Sequence, residues 1–128
     1  MEFEQAREAL TEIADALPYE IYNDLNGGIV LVPYVQMDAK GIYTLGHYHF
    51  NPMGLGRHIT IYYGSIMAVY GNYGEEFILQ KLKETLYHEL THHIEHMAGD
   101  KTLERKDEID MAKIMRDAKK ERYRHGKI

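Results

Sequence analysis

The chain has no cysteine. Disulfides, thiolate-held zinc and cysteine nucleophiles are thereby excluded, so any metal must be held by histidine, aspartate or glutamate. It also lacks a basic block large enough to offset its net charge of -5, which argues against nucleic acid as a partner. The one basic cluster, Lys119-Lys120-Glu121-Arg122-Tyr123-Arg124-His125, reads as a solvated helix end. No run approaches the roughly 18 apolar residues needed to span a membrane. Residues 1–17 are amphipathic and acidic rather than leader-like. No membrane association is expected, and the expected compartment is the cytoplasm. Internal repeats, low-complexity segments and linkers are missing too. Residues 1–128 are read as a single domain, long enough to bury roughly two-thirds of its unfolded surface.

What is present is a helix–strand–helix pattern. Phe3, Ala6, Leu10, Ile13 and Leu17 recur at three- and four-residue steps, a first helix that Pro18 ends. Asn26-Gly27-Gly28 signals a turn before a strand over 29–35. Further strands are expected over 41–50 and 58–63, separated by the loop Asn51-Pro52-Met53-Gly54-Leu55-Gly56. That loop is too short to cradle phosphate. Most of the tyrosines between 19 and 73 read as half-buried strand and edge positions. A long helix is expected over 75–98 with a stop at Gly99. A third follows, capped by Thr102, with Leu103, Asp107, Met111, Ile114 and Ala118 facing inward.

The long helix carries His88-Glu89-Leu90-Thr91-His92. Histidines at i and i+4 stand about 6 Å apart along the axis and roughly 40° apart around it, so both imidazoles reach one ion. The glutamate beside the first histidine then lies near the metal without binding it, placed to take a proton from metal-activated water. Leu82, Leu86, Leu90 and Ile94 lie on the opposite arc of the same helix, so His88 and His92 border a cleft rather than fill a core.

A catalytic zinc takes three protein ligands and leaves one position open. His93 points about 140° away from His88, and His96 lies about 12 Å along the axis from it. Both are expected to face solvent or to support the ligands. Asp107 is the better candidate, because a carboxylate on an apolar helix face is costly without a metal or charged partner. An antiparallel hairpin turning near residue 100 brings Asp107 close to the level of the two histidines. Asp110, Glu108, Glu104 and Asp100 remain alternatives, as does a plain ion pair for Asp107. His47 and His49 share one strand face but have no third ligand nearby in sequence, so a second metal is not expected there.

The chain resembles the small bacterial zincin-like metallopeptidases, the minimal metalloprotease fold. The likeness runs from Met1-Glu2-Phe3-Glu4 and Ala16-Leu17-Pro18 through Leu45-Gly46-His47-Tyr48 and Ile59-Thr60-Ile61-Tyr62-Tyr63. It continues through Leu86-Tyr87-His88-Glu89-Leu90-Thr91-His92-His93 to Ala98-Gly99-Asp100 and Leu103-Glu104-Arg105-Lys106-Asp107. The shorter relatives place an aspartate soon after a glycine that here comes one turn later, so Asp100 and Asp107 compete for its role. The resemblance implies an α+β fold, with a small mixed sheet of about three to four strands packed on the active-site helix, flanked by N- and C-terminal helices. It also implies that 59–63 forms the sheet edge along which extended substrate pairs.

The expected activity is zinc-dependent hydrolysis of peptide bonds in a peptide or protein substrate, with His88, His92 and Asp107 holding Zn²⁺ and Glu89 as general base. Tyr48, Tyr62, Tyr63 and His58 are candidate oxyanion donors. The competing expectation is a metal-binding zincin scaffold with an interaction role and little peptidase activity. An RNA hydrolase is disfavoured by the acidic balance.

Overall fold

The computed structural model describes residues 1–100. Its first helix, α1 (Phe3–Asp15), starts where the Gln5 side chain accepts the Glu2 backbone N–H at 2.9 Å. It closes with a tighter turn, Leu17 N–H to Ala14 carbonyl at 3.2 Å, directly before Pro18. Ala6, Leu10 and Leu17 are buried as their spacing requires. A 3₁₀ turn (Tyr19–Tyr22) seats Ile21 in the core and leads to β1 (Gly28–Val32).

β1 stops three residues short of the expected 35, because Pro33 has no N–H to continue the ladder. The strand expected over 41–50 shortens at its start. Asp38 Oδ1 accepts the N–H groups of Lys40 (2.8 Å) and Ile42 (3.0 Å), tying that stretch into a turn. β2 (Gly46–Asn51) and β3 (Gly56–Tyr62) then form an antiparallel hairpin.

The sheet order is β1-β3-β2, with β1 parallel to β3. This corrects the expectation that 59–63 is the edge. β3 is central, its Ile59 and Ile61 fully buried, and β2 is the edge nearer the long helix. Sequence pattern alone could not separate the two. Both alternate, and only pairing on both sides makes a strand central.

A short helix, α2 (Tyr63–Tyr70), had no sequence forecast, since it is apolar nearly all round and shows no amphipathic stripe. Ser65 straps the segment after β1 to it: Ser65 Oγ accepts the Gln36 N–H at 2.8 Å and donates to the Gln36 carbonyl at 3.0 Å. α3 (Glu75–Asp100) follows and packs on β2, β3, α1 and α2. Leu82, Leu86 and Leu90 are fully buried, Ile78 is buried with them, and Leu79 packs partly buried against the same core.

α3 runs through Gly99 instead of stopping there. A glycine stop needs the left-handed conformation, and Gly99 is not among the glycines with positive φ. The turn near residue 100 that anchored the hairpin argument is therefore replaced by helix up to the last described residue. Asp107, with Glu104, Glu108 and Asp110, lies outside the described residues, as do the Thr102 cap and the helix expected beyond it. The structure is thus α+β, with a three-stranded mixed sheet against a long helix.

Candidate metal centre

α3 presents His88 and His92 on its exposed side, one turn apart, with Nε2 atoms 3.1 Å from each other. Their rings meet nearly perpendicular, at 85°. Two imidazole nitrogens this close are satisfied by a shared proton or by a cation between them. Tetrahedral Zn–N bonds of roughly 2.0–2.1 Å would set such nitrogens about 3.3 Å apart, so the donor pair fits zinc. Among the described residues no group of three His, Asp or Glu side chains is arranged to hold a metal ion. Asp100, an alternative third ligand, ends α3 with its backbone about 12 Å along the axis from His92.

Glu89, beside them on the helix, packs at the junction of α3 and β2, lines the same groove and is only 5 % exposed. Burial pushes its carboxyl pKa up; His88, His92 and His47, and least of all the nearby Tyr48 backbone, pull in the opposite direction. The strand comes close enough because residue 46 is glycine. A Cβ there would stand 2.7 Å from Thr85 Cγ2 and 3.2 Å from Glu89 Cγ. Two open depressions, of about 540 and 420 Å³, meet at Gly46, His88 and Glu89. Together they form a cleft along α3 beside the β2 edge.

His93 is not solvent-facing, one of the two placements expected for it. It is fully buried, with Nε2 2.8 Å from the Asn23 carbonyl and Nδ1 2.8 Å from the Tyr48 hydroxyl. A carbonyl only accepts, so Nε2 carries the proton and the bare Nδ1 receives the Tyr48 O–H. Burial holds this ring's pKa below the usual histidine value. His96 is half-buried, its Nδ1 3.1 Å from the Tyr48 hydroxyl and 3.3 Å from Arg57 Nε.

The oxyanion-donor candidates are dispersed. The Tyr48 hydroxyl is engaged with the two histidines, Tyr62 and Tyr63 are buried, and the Tyr63 hydroxyl donates to the Met1 carbonyl. His58 stacks on His49 at 4.3 Å and 9°, and His47 lies 4.1 Å from His49. His47, which the forecast left out of the site, is the histidine of β2 that lines the groove with His88, Glu89 and His92. Its place on the strand was a usable signal, but which strand is the edge had to be known first.

Among the described residues, no helix is long and apolar enough to cross a membrane. No family model matches the chain, and no curated protein matches it. Among solved structures it is similar to a conserved hypothetical protein from Thermo thermophilus. The identity is 29% and the TM-score 0.67, covering 78% of this chain and 100% of that one.

Proposed function

We propose that this chain is a zinc-dependent peptidase of the small zincin-like kind. The observation that carries the reading is the pairing on one turn of α3: His88 and His92 converge outward at 3.1 Å while Glu89 is buried beside them. The ligands would be His88, His92 and a carboxylate, for which Asp107 is our choice over Asp100, Glu104, Glu108 and Asp110. Zinc, when bound, supplies the Lewis acidity that brings the pKa of water toward about 7.

Glu89 takes the proton of the attacking water on its carboxylate and passes it to the departing amine nitrogen. Its raised pKa suits both halves of that transfer, because the carboxyl is a stronger base than an exposed glutamate. A scaffold that only held metal would have no use for this costly buried carboxyl, which favours the enzyme reading over an interaction module.

The substrate is an extended peptide lying along β2. Tyr62 donates its N–H to the Leu45 carbonyl at 2.8 Å, which sets the phase of the β2–β3 ladder. The backbone groups of His47 and His49 then face β3, whereas those of Gly46, Tyr48 and Phe50 face the open edge. Edge carbonyls and N–H groups are what an added strand pairs with.

Glu89→Gln is expected to keep zinc and to lower kcat for peptide cleavage by about 10²–10⁴. A Gln variant that cleaves as fast as wild type would sink the assignment. Asp107→Ala is expected to lose zinc and Asp100→Ala to retain it, read by metal analysis after gel filtration. The opposite pattern moves the ligand to Asp100.

A further inference from the structure

We propose that the face of β2 turned away from α3 is a subsite for acidic peptide side chains, with His47 and His49 as its specificity-determining residues. The proposal names the peptide class for the groove and rests on the reading that an extended peptide pairs with β2.

Side chains alternate along a strand. The Tyr48 hydroxyl reaches His93 on α3 and the Phe50 ring packs on His96, so His47 and His49 turn to the opposite face. His58 of β3 joins them there, because it stands directly opposite His49 in the ladder. The three rings adjoin in a row, with centroids 4.1 Å apart between His47 and His49 and 4.3 Å between His49 and His58. His47 is exposed at the free end of the row, and it lines the groove beside His88 and Glu89 as well.

The phase of the ladder decides which side chains a bound peptide brings to this row. The backbone groups of His47 and His49 face β3, which leaves those of Gly46, Tyr48 and Phe50 for an added strand. In antiparallel pairing, the more stable sense per residue, the peptide residues opposite His47 and His49 fall at non-hydrogen-bonded positions. There Cα atoms are only about 4.5 Å apart and side chains come closest. Two peptide side chains, separated by one residue, therefore lie against the two imidazoles. The one opposite His47 is level with the proposed base, since a Cβ on the neighbouring Gly46 would stand 3.2 Å from Glu89 Cγ.

What the row lacks is an acceptor. His49 Nε2 and His58 Nδ1 are buried without a hydrogen-bond partner among the described residues. β1, β2 and β3 contain no aspartate or glutamate, and their one charged residue, Arg57, lies over Phe50 on the other face. An imidazole N–H donates more strongly to a carboxylate than to a neutral acceptor, and no like charge on this face opposes it. A lysine brings only donors and adds positive charge beside three histidines. The α3 side of the cleft is the reverse, lined by Glu84, Glu89 and Glu95. Acidic residues are thus accepted at alternate peptide positions and not at the ones between.

The test is NMR titration of the isotope-labelled, metal-free protein with octapeptides carrying Glu, Ala or Lys at two positions separated by one residue. The Glu peptide is expected to bind roughly three- to twentyfold more tightly than the Ala peptide, as two favourable cross-strand pairs would give, and the Lys peptide more weakly. The amides of Gly46, Tyr48 and Phe50 and the rings of His47 and His49 are expected to shift. His47→Glu, a change at an exposed position, is expected to reverse the order and favour Lys. Equal affinity for the three peptides would overturn the subsite. So would a Glu preference that survives His47→Glu, or no binding of any peptide. Cleavage by the zinc-loaded wild type decides the peptidase reading separately: a peptide bound with the Glu preference and never cut refutes that reading and leaves the subsite standing.

Discussion

A histidine held neutral inside a fold makes that fold sensitive to acid. Among the described residues, two histidines are held below the usual pKa near 6.5. Burial is the main cause at both His93 and His49; at His49 the neighbouring His47 and His58 add to it. The ring nitrogens His49 Nε2 and His58 Nδ1 are buried without a hydrogen-bond partner among the described residues. When the folded-state pKa is the lower one, the unfolded chain binds more protons in the window between the two values. Stability is then complete above about pH 6.5 and declines as pH falls toward the folded values. Urea unfolding of the metal-free protein between pH 7 and 5 is expected to show this loss, with a shallower slope in His49→Gln. An unchanged slope in that variant would remove His49 as a cause. At this scale His88, Glu89 and His92 were legible from helical phase alone. His93 was not, because a helical wheel gives a residue's direction and not what packs against it.

Elements meet where glycine lets them. At Gly46 the obstacle to a Cβ is side chain: Thr85 Cγ2 at 2.7 Å and Glu89 Cγ at 3.2 Å. At Gly64, the second residue of α2, it is backbone: Tyr34 C at 2.4 Å and Pro33 O at 2.7 Å. Side chains can rotate away and backbone cannot, so Gly64→Ala is expected to destabilise more than Gly46→Ala. The milder substitution is expected to cost about 1–3 kcal/mol, as overpacking does, measured by denaturant unfolding. Equal costs would mean that the chain around Tyr34 yields more easily than the nearby strap between Gln36 and Ser65 suggests. Element existence was readable for α1, the three strands and α3, whose periodicities are strong. α2 escaped because a short helix apolar on every side has no period to detect. The end of α3 escaped because Gly99 carries either conformation at modest cost.

For the molecule as a whole, the proposed metal couples to stability. A ligand that binds only the folded state at 100 times its Kd adds about 2.7 kcal/mol. Zinc is therefore expected to raise the unfolding midpoint of wild type, with chelator reversing the gain. His88→Ala and His92→Ala should abolish the effect, while Glu89→Gln should keep it, since Glu89 is placed beside the ligand pair as base and not as a ligand. Differential scanning calorimetry with and without zinc separates these cases. Stabilisation of equal size in His88→Ala would place the ion elsewhere, and the histidine cluster of β2 and β3 would be the first place to look.

The sequence by itself determined the α+β character, the long helix, and the one-turn spacing that puts His88 and His92 together with Glu89 beside them. These are local properties, set by 3.6 residues per turn and by where apolar side chains recur. Only the tertiary structure decided that β3 is central and β2 the edge, that Glu89 is buried, and that the Tyr48 hydroxyl reaches His93. Those facts depend on contacts between segments tens of residues apart, where packing distance and unpaired backbone groups choose the partner and no local spacing encodes it.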